Sequence, residues 1–121
     1  MIANILKEGL VQLGAWLRGE VPGQGADDAA LLAAAEARNG WFTPENSRAA
    51  MRAHGEALRA EVLAEWEQRM APGVPVKAPC TVGLVLAGNI PMVGWNDVLC
   101  VLVSGHLGQA KCASDDAVLI P

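Results

Sequence analysis

The chain has 121 residues, 52% of them hydrophobic, with 13 acidic against 9 basic side chains and a formal net charge of −4. That length and apolar content suit one folded domain and exclude low-complexity disorder. The acidic balance, with no Tyr and a single Phe, excludes nucleic acid as a partner, since phosphates need a basic face and bases need aromatic platforms.

The first element in chain order is an amphipathic helix. Ile2, Ile5, Leu6, Leu10, Leu13, Trp16 and Leu17 recur at steps of three and four, and the stripe stops at Gly19. Lys7, Glu8 and Gln12 interrupt it, so a secretory leader is not expected. Residues 21–25 (VPGQG) form a loop, after which Asp27 or Asp28 caps a short Ala-rich helix over residues 29–38. Asn39 and Gly40, both tolerant of left-handed backbone, close that helix. Thr43-Pro44-Glu45 starts the next one: Thr43 as N-cap, Pro44 with its preset φ, and Glu45 at the positive end of the dipole. This helix is predicted to run from residue 44 to about 70, burying Met51, Leu58, Val62, Trp66 and Met70. Arg48, Arg52, Arg59, Glu65 and Arg69 then lie mostly outside, and residues 71–75 (APGVP) end it.

After Pro79 the composition changes. Residues 80–87 (CTVGLVLA) are one apolar run, the pattern of a strand covered on both faces in a parallel sheet. Residues 88–91 (GNIP) read as a turn. Met92, Trp95, Leu99, Leu102 and Val103 return to helical spacing as far as Gly105. Residues 107–112 read as a second strand, and Ser114-Asp115-Asp116 as the cap of another helix. Residues 81–103 are long enough to cross a bilayer, but Asn89, Pro91, Asn96 and Asp97 favour a buried strand and helix. Strand, turn, helix and strand make a βαβ unit. The expected fold is α/β: a helical segment over residues 1–75, then the opening of an α/β domain over residues 76–121. Two parallel strands leave open edges, so the chain reads as the start of something longer or as a member of an oligomer.

Cys80, Cys100 and Cys112 are too widely spaced for a zinc site or a disulfide framework. Each sits in an apolar run and is expected to be a buried free thiol, as in a reducing, cytoplasmic compartment. His54 is expected at the surface and His106 at a helix end, with no dyad between a histidine and a nucleophile. Ligands of open parallel sheets bind beyond the carboxyl ends of the strands. Here that place holds Gly88, which lets a ligand approach the backbone, and Asn89, a donor and acceptor. The second strand brings Lys111, followed by Ser114, to the same edge, where a lysine could meet a ribose or phosphate. The same residues also fit a plain turn, a solvated strand-end charge and a helix cap. The dinucleotide fingerprint G-x-G-x-x-G is absent.

Residues 82–106 (VGLVLAGNIPMVGWNDVLCVLVSGH), 110–121 (AKCASDDAVLIP) and 39–46 (NGWFTPEN) resemble acyl-CoA reductases of the bacterial bioluminescence type, within the aldehyde dehydrogenase superfamily. The likeness covers about residues 39–121. It implies a cofactor-binding domain that opens with a strand, an Asn-x-Pro turn, a helix and a strand ending in Lys. It also implies NADPH-dependent conversion of a fatty acyl thioester, acyl-CoA, to the aldehyde. Asn89 would then stabilise the oxyanion, a contribution of ~3 kcal/mol for such donors. Leu86, Ala87 and Gly88 would line the cofactor passage with backbone atoms. Lys111 would bond the adenosine ribose, and the neutral Ser114 would leave room for a 2′-phosphate, with Asp115 as an opposing charge. Asn96 departs from the family, which favours His there. The family's nucleophilic cysteine lies beyond the matched part, and none of Cys80, Cys100 or Cys112 is a good substitute, Cys112 being the least unsuitable because Lys111 is beside it. On this reading the chain is the N-terminal part of a reductase and inactive alone. The alternative is a small helical interaction module that binds a partner through the helix beginning at Pro44.

Overall fold

The computed structural model describes residues 2–21, 28–70 and 78–120. Residues 22–25 of the expected loop, Asp27, and the terminator at 71–75 with its domain boundary lie outside the described residues. The fold is helix-rich with a small parallel sheet: α1 (Asn4–Leu17), α2 (Asp28–Arg38), α3 (Pro44–Ala57), α4 (Ala60–Met70), β1 (Thr81–Val85), α5 (Trp95–Val103) and β2 (Leu107–Lys111).

α1 buries Leu10, Gly14 and Leu17 and ends at Arg18, followed by Gly19 at φ +75°. Ile5 leaves the stripe and is 82% exposed, because five residues from Leu10 is about 140° around the helix. α1 and α3 meet backbone to backbone at two glycines. A Cβ on Gly14 would stand 2.7 Å from Leu58 Cβ, and one on Gly55 would stand 2.8 Å from the Gly14 carbonyl oxygen. Arg18 Nη1 donates to the Gly55 carbonyl across the same crossing.

Thr43 caps α3 as expected, its Oγ1 accepting the Asn46 N–H at 3.2 Å, with Pro44 at the first helical position. The single helix predicted over residues 44–70 is instead two. At Leu58 and Arg59 the N–H groups turn to the carbonyls of Gly55 and Glu56, at 3.2 and 3.3 Å. Such i−3 bonds tighten the last turn and end α3. Packing explains the break. Leu58 and Leu63 are both fully buried, yet five residues on a straight helix would set them about 140° apart. The bend brings both inward, and Val62 and Met70, placed in the stripe by an unbroken period, are left 39% and 40% exposed. Glu67 then ties α4 to the start of the chain, accepting from the Ile2 N–H at 2.9 Å and pairing with Lys7.

α2 buries Leu32 and Ala35. The turn at Asn39 and Gly40 does not use left-handed backbone: positive φ occurs among the described residues only at Gly19, Gly105 and Met92. Asn39 Oδ1 accepts the Trp41 N–H at 3.1 Å instead, an Asx turn.

β1 and β2 pair in parallel, Thr81 opposite Leu107 and Val85 opposite Lys111, with α5 connecting them and packing on both. Val82 and Leu84 are half-buried, whereas Thr81, Gly83 and Val85 face outward. β1 is therefore covered on one face, not on two: α5 is one layer, and no described element lies over Val85, which is 84% exposed. β2 is exposed throughout. α5 begins at Trp95, later than its spacing implies, because Met92 takes a left-handed φ of +58° and residues 91–94 form a turn. Among the described residues no helix is long and apolar enough to cross a membrane. Leu10, Leu17, Leu32, Met51, Leu58, Leu63, Met92 and Leu99 form one cluster, so the helices and the βαβ unit share a core.

The helix crossing makes a prediction with an internal control. Gly55→Ala should destabilise by about 1–3 kcal/mol, the usual cost of overpacking a filled contact. Gly9→Ala, with nothing within 4 Å of its Cβ position, should stabilise by up to about 1 kcal/mol through helix propensity. Urea denaturation of the two variants measures both.

Candidate functional site

The carboxyl end of the sheet is where the sequence places a ligand. The Leu86 N–H donates to the Lys111 carbonyl at 3.0 Å, extending the ladder one step and carrying both strands out side by side. Asn89, exposed in the bend after β1, and Ser114, three residues after Lys111, lie past this end, and Lys111, exposed, is the last residue of β2. Lys111 is paired with Val85 on the face turned away from α5. Asn96 is exposed in the first turn of α5.

One buried carboxylate shapes this rim. Ser114–Asp116 is a single 3-10 turn, not the cap of a further helix. The side chain of Asp116, 3% exposed, reaches across to accept the Met92 N–H at 2.8 Å. Burial pushes the Asp116 carboxyl above its ordinary 3.8, while the N–H groups of Met92 and Leu119 draw it down. His54 approaches the same residue from α3. Burial holds its imidazole below the ordinary 6.5, with a hydrogen bond to the Met92 backbone acting the other way. His54 is therefore a half-buried brace behind the turn and not a surface residue.

The glycine at 88 has a different cause from the one expected. A Cβ there would stand 2.5 Å from Ala113 Cβ and 3.3 Å from the Asp116 nitrogen, so the close approach is made by the chain itself. Of the three residues expected to line a passage, Leu86 is buried with its N–H taken by Lys111, and a Cβ on Gly94 would lie 2.8 Å from its Cβ. Ala87 is exposed.

Arg38 is a member of the rim that the sequence did not reveal. Its Nε donates to the Ser114 carbonyl at 2.9 Å, and Asn39 Nδ2 reaches the Asp115 carbonyl at 3.5 Å. No local pattern marks Arg38, because 76 residues separate it from Ser114. Behind the turn, Met92 and Trp95 also line an apolar cavity of about 260 Å³, with Leu13, Trp16, Leu31 and Leu119 among its other walls.

The cysteines depart from expectation. Cys80 and Cys100 are exposed, and only Cys112 is half-buried. Cys112 donates its S–H to the Ile120 carbonyl at 2.6 Å, which needs the proton in place and counts against it as a nucleophile. Cys80 Sγ lies 3.3 Å from His106 Nδ1, a pairing the sequence did not show. No protein-family model, no curated protein and no solved structure matches the chain.

The brace behind the turn makes stability pH-dependent. His54 resists a proton that the unfolded chain accepts, so its contribution is present above 6.5 and is lost as pH falls through the lowered folded value. Asp116 acts oppositely: its contribution is present below 3.8 and is lost as pH rises through the raised folded value. In His54→Gln, urea midpoints should be flatter than in the parent as pH falls below 6.5; an unchanged slope there would show that His54 is not the titrating brace.

Proposed function

We propose that the chain forms the opening part of an NADPH-dependent acyl-CoA reductase, which converts a fatty acyl thioester to the aldehyde. One observation carries the reading: parallel pairing sets Asn89, beyond β1, and Lys111, the last residue of β2, at the same end of adjacent strands, the usual ligand edge of an open α/β sheet. An aldehyde-dehydrogenase-like beginning, with strand, Asn-Ile-Pro turn, helix and strand ending in Lys, is what the chain resembles.

In this reading the Asn89 carboxamide donates to the oxyanion that develops at the acyl carbon. Lys111, an exposed cation on an uncovered sheet face, binds the adenosine ribose. Ser114 leaves space for a 2′-phosphate, and the Arg38 guanidinium on its carbonyl adds positive charge there. The donor set suits an anionic dinucleotide, with the exposed Asp115 and the buried Asp116 as opposing charges. When bound, NADPH supplies the hydride. The apolar cavity that shares Met92 and Trp95 with the turn suits an aliphatic acyl chain. None of the three thiols serves Asn89: Cys80 lies at the opposite end of β1, Cys100 is on α5, and Cys112 is held by Ile120.

A second reading rests on the exposed sheet face, where Val85 and Leu107 are 84% and 63% exposed and each strand has one edge unpaired among the described residues. Such a surface suits an interaction module that assembles with a partner or a second copy.

Titration with NADPH separates the two. Saturable quenching of Trp fluorescence, diminished in Trp95→Phe and weakened about tenfold (~1.4 kcal/mol) in Lys111→Ala, is expected for the reductase reading. Concentration-dependent assembly with no nucleotide effect would overturn it in favour of the module.

A further inference from the structure

We propose that Cys80 and His106 form a reactive thiol site at the amino end of the sheet, one that exchanges with low-molecular-weight disulfides. The site is separate from the ligand rim and does not depend on the reductase reading. The strand register creates it. Thr81 is opposite Leu107, and the Leu107 N–H donates to the Cys80 carbonyl at 3.0 Å. The next step of the ladder therefore sets Cys80 beside His106, as adjacent residues of parallel strands must lie. Gly105, at φ +80°, ends the connection from α5 and aims the chain into that step.

The hydrogen bonds assign the proton. The Cys80 backbone N–H donates to His106 Nδ1 at 3.2 Å. Nδ1 is then the bare nitrogen and Nε2 carries the hydrogen. Sγ lies 3.3 Å from the same nitrogen, so the thiol can bond it only as a donor that shares its one lone pair with the backbone N–H. Cys80 is exposed and His106 half-buried, so a reagent can reach the thiol, and a nearby imidazole is what converts a thiol to its nucleophilic thiolate. The other two cysteines are natural comparisons. Cys100 is also exposed and has no imidazole bonded to it among the described residues, and Cys112 is half-buried and committed to a carbonyl.

In the exchange, the Cys80 backbone N–H gives up His106 Nδ1, the thiol proton passes to that nitrogen, and the thiolate attacks one sulfur of the disulfide. The Cys80–sulfur bond forms as the reagent's own S–S bond breaks. The departing thiolate takes the proton from His106. Cys80 is oxidised to a mixed disulfide, and half of the reagent is reduced to a free thiol, so atoms and electrons balance.

The test uses the intact chain and bis(2-hydroxyethyl) disulfide, a neutral probe that the acidic protein does not repel, with peptide mass spectrometry reading each cysteine. Cys80 should react at least about tenfold faster than Cys100 at pH 7, with Cys112 slowest. His106→Gln should lower the Cys80 rate to that of Cys100 and leave the Cys100 rate unchanged. The Cys80-to-Cys100 rate ratio in the unaltered protein makes the test independent of that variant's folding. Equal rates at Cys80 and Cys100 in the unaltered protein, or a Cys80 rate unchanged in a folded His106→Gln, would overturn the proposal.

Discussion

The hydrogen bond from the Met92 N–H to the buried Asp116 carboxylate is the constraint on which the rim depends. Met92 has a positive φ without being glycine, a conformation that costs roughly 1–3 kcal/mol. The hydrogen bond that its N–H donates to the Asp116 carboxyl at 2.8 Å holds that conformation in place. The same clamp turns the Met92 side chain into the core at 5% exposure. It also draws the segment after β2 against Gly88, where only a glycine leaves room. Asn89 is thus held between two fixed points, β1 on one side and the clamped turn on the other.

The helical part supports that arrangement from behind. Close approach at Gly14 and Gly55 lets α3 lie against α1. Met51, one turn before Gly55, reaches the cluster that contains Met92 and Leu99, and His54 reaches the Met92 backbone. The bend after Ala57 then recovers the burial of Leu63, which a straight helix would have lost. From α2, Arg38 and Asn39 hold the backbone of Ser114 and Asp115. The rim is therefore built by segments far apart in the chain, and a change in the helix crossing reaches it through the core.

A single ladder organises both ends of the sheet. The register that sets Val85 opposite Lys111 at the carboxyl end also sets Cys80 beside His106 at the amino end. Because side chains alternate along a strand, a slip of one residue would turn Lys111 toward α5 and separate the thiol from the imidazole. The acid–base chemistry of the two ends is distinct: a cation and a carboxamide at one, a thiol and an imidazole at the other.

Read alone, the sequence determined the elements whose signals are local. These include the α1 stripe, the Thr43-Pro44 start of α3, the apolar β1, the turn at residues 88–91, and strands whose ends carry Asn89 and Lys111 to one edge. Hydrophobic period, capping and turn chemistry act over a few residues, so they are written in the chain. Tertiary structure decided what depends on contacts between distant segments: the break at Leu58, the single covered face of β1, the inward turn of Asp116 and the place of Arg38. It also decided the exposure of Cys80 and its meeting with His106. The physical reason is that burial belongs to the assembled surface. Residues 80–87 read as a doubly covered strand by composition, yet only the packing of α5 sets which face is shielded, and only the register sets which side chains meet.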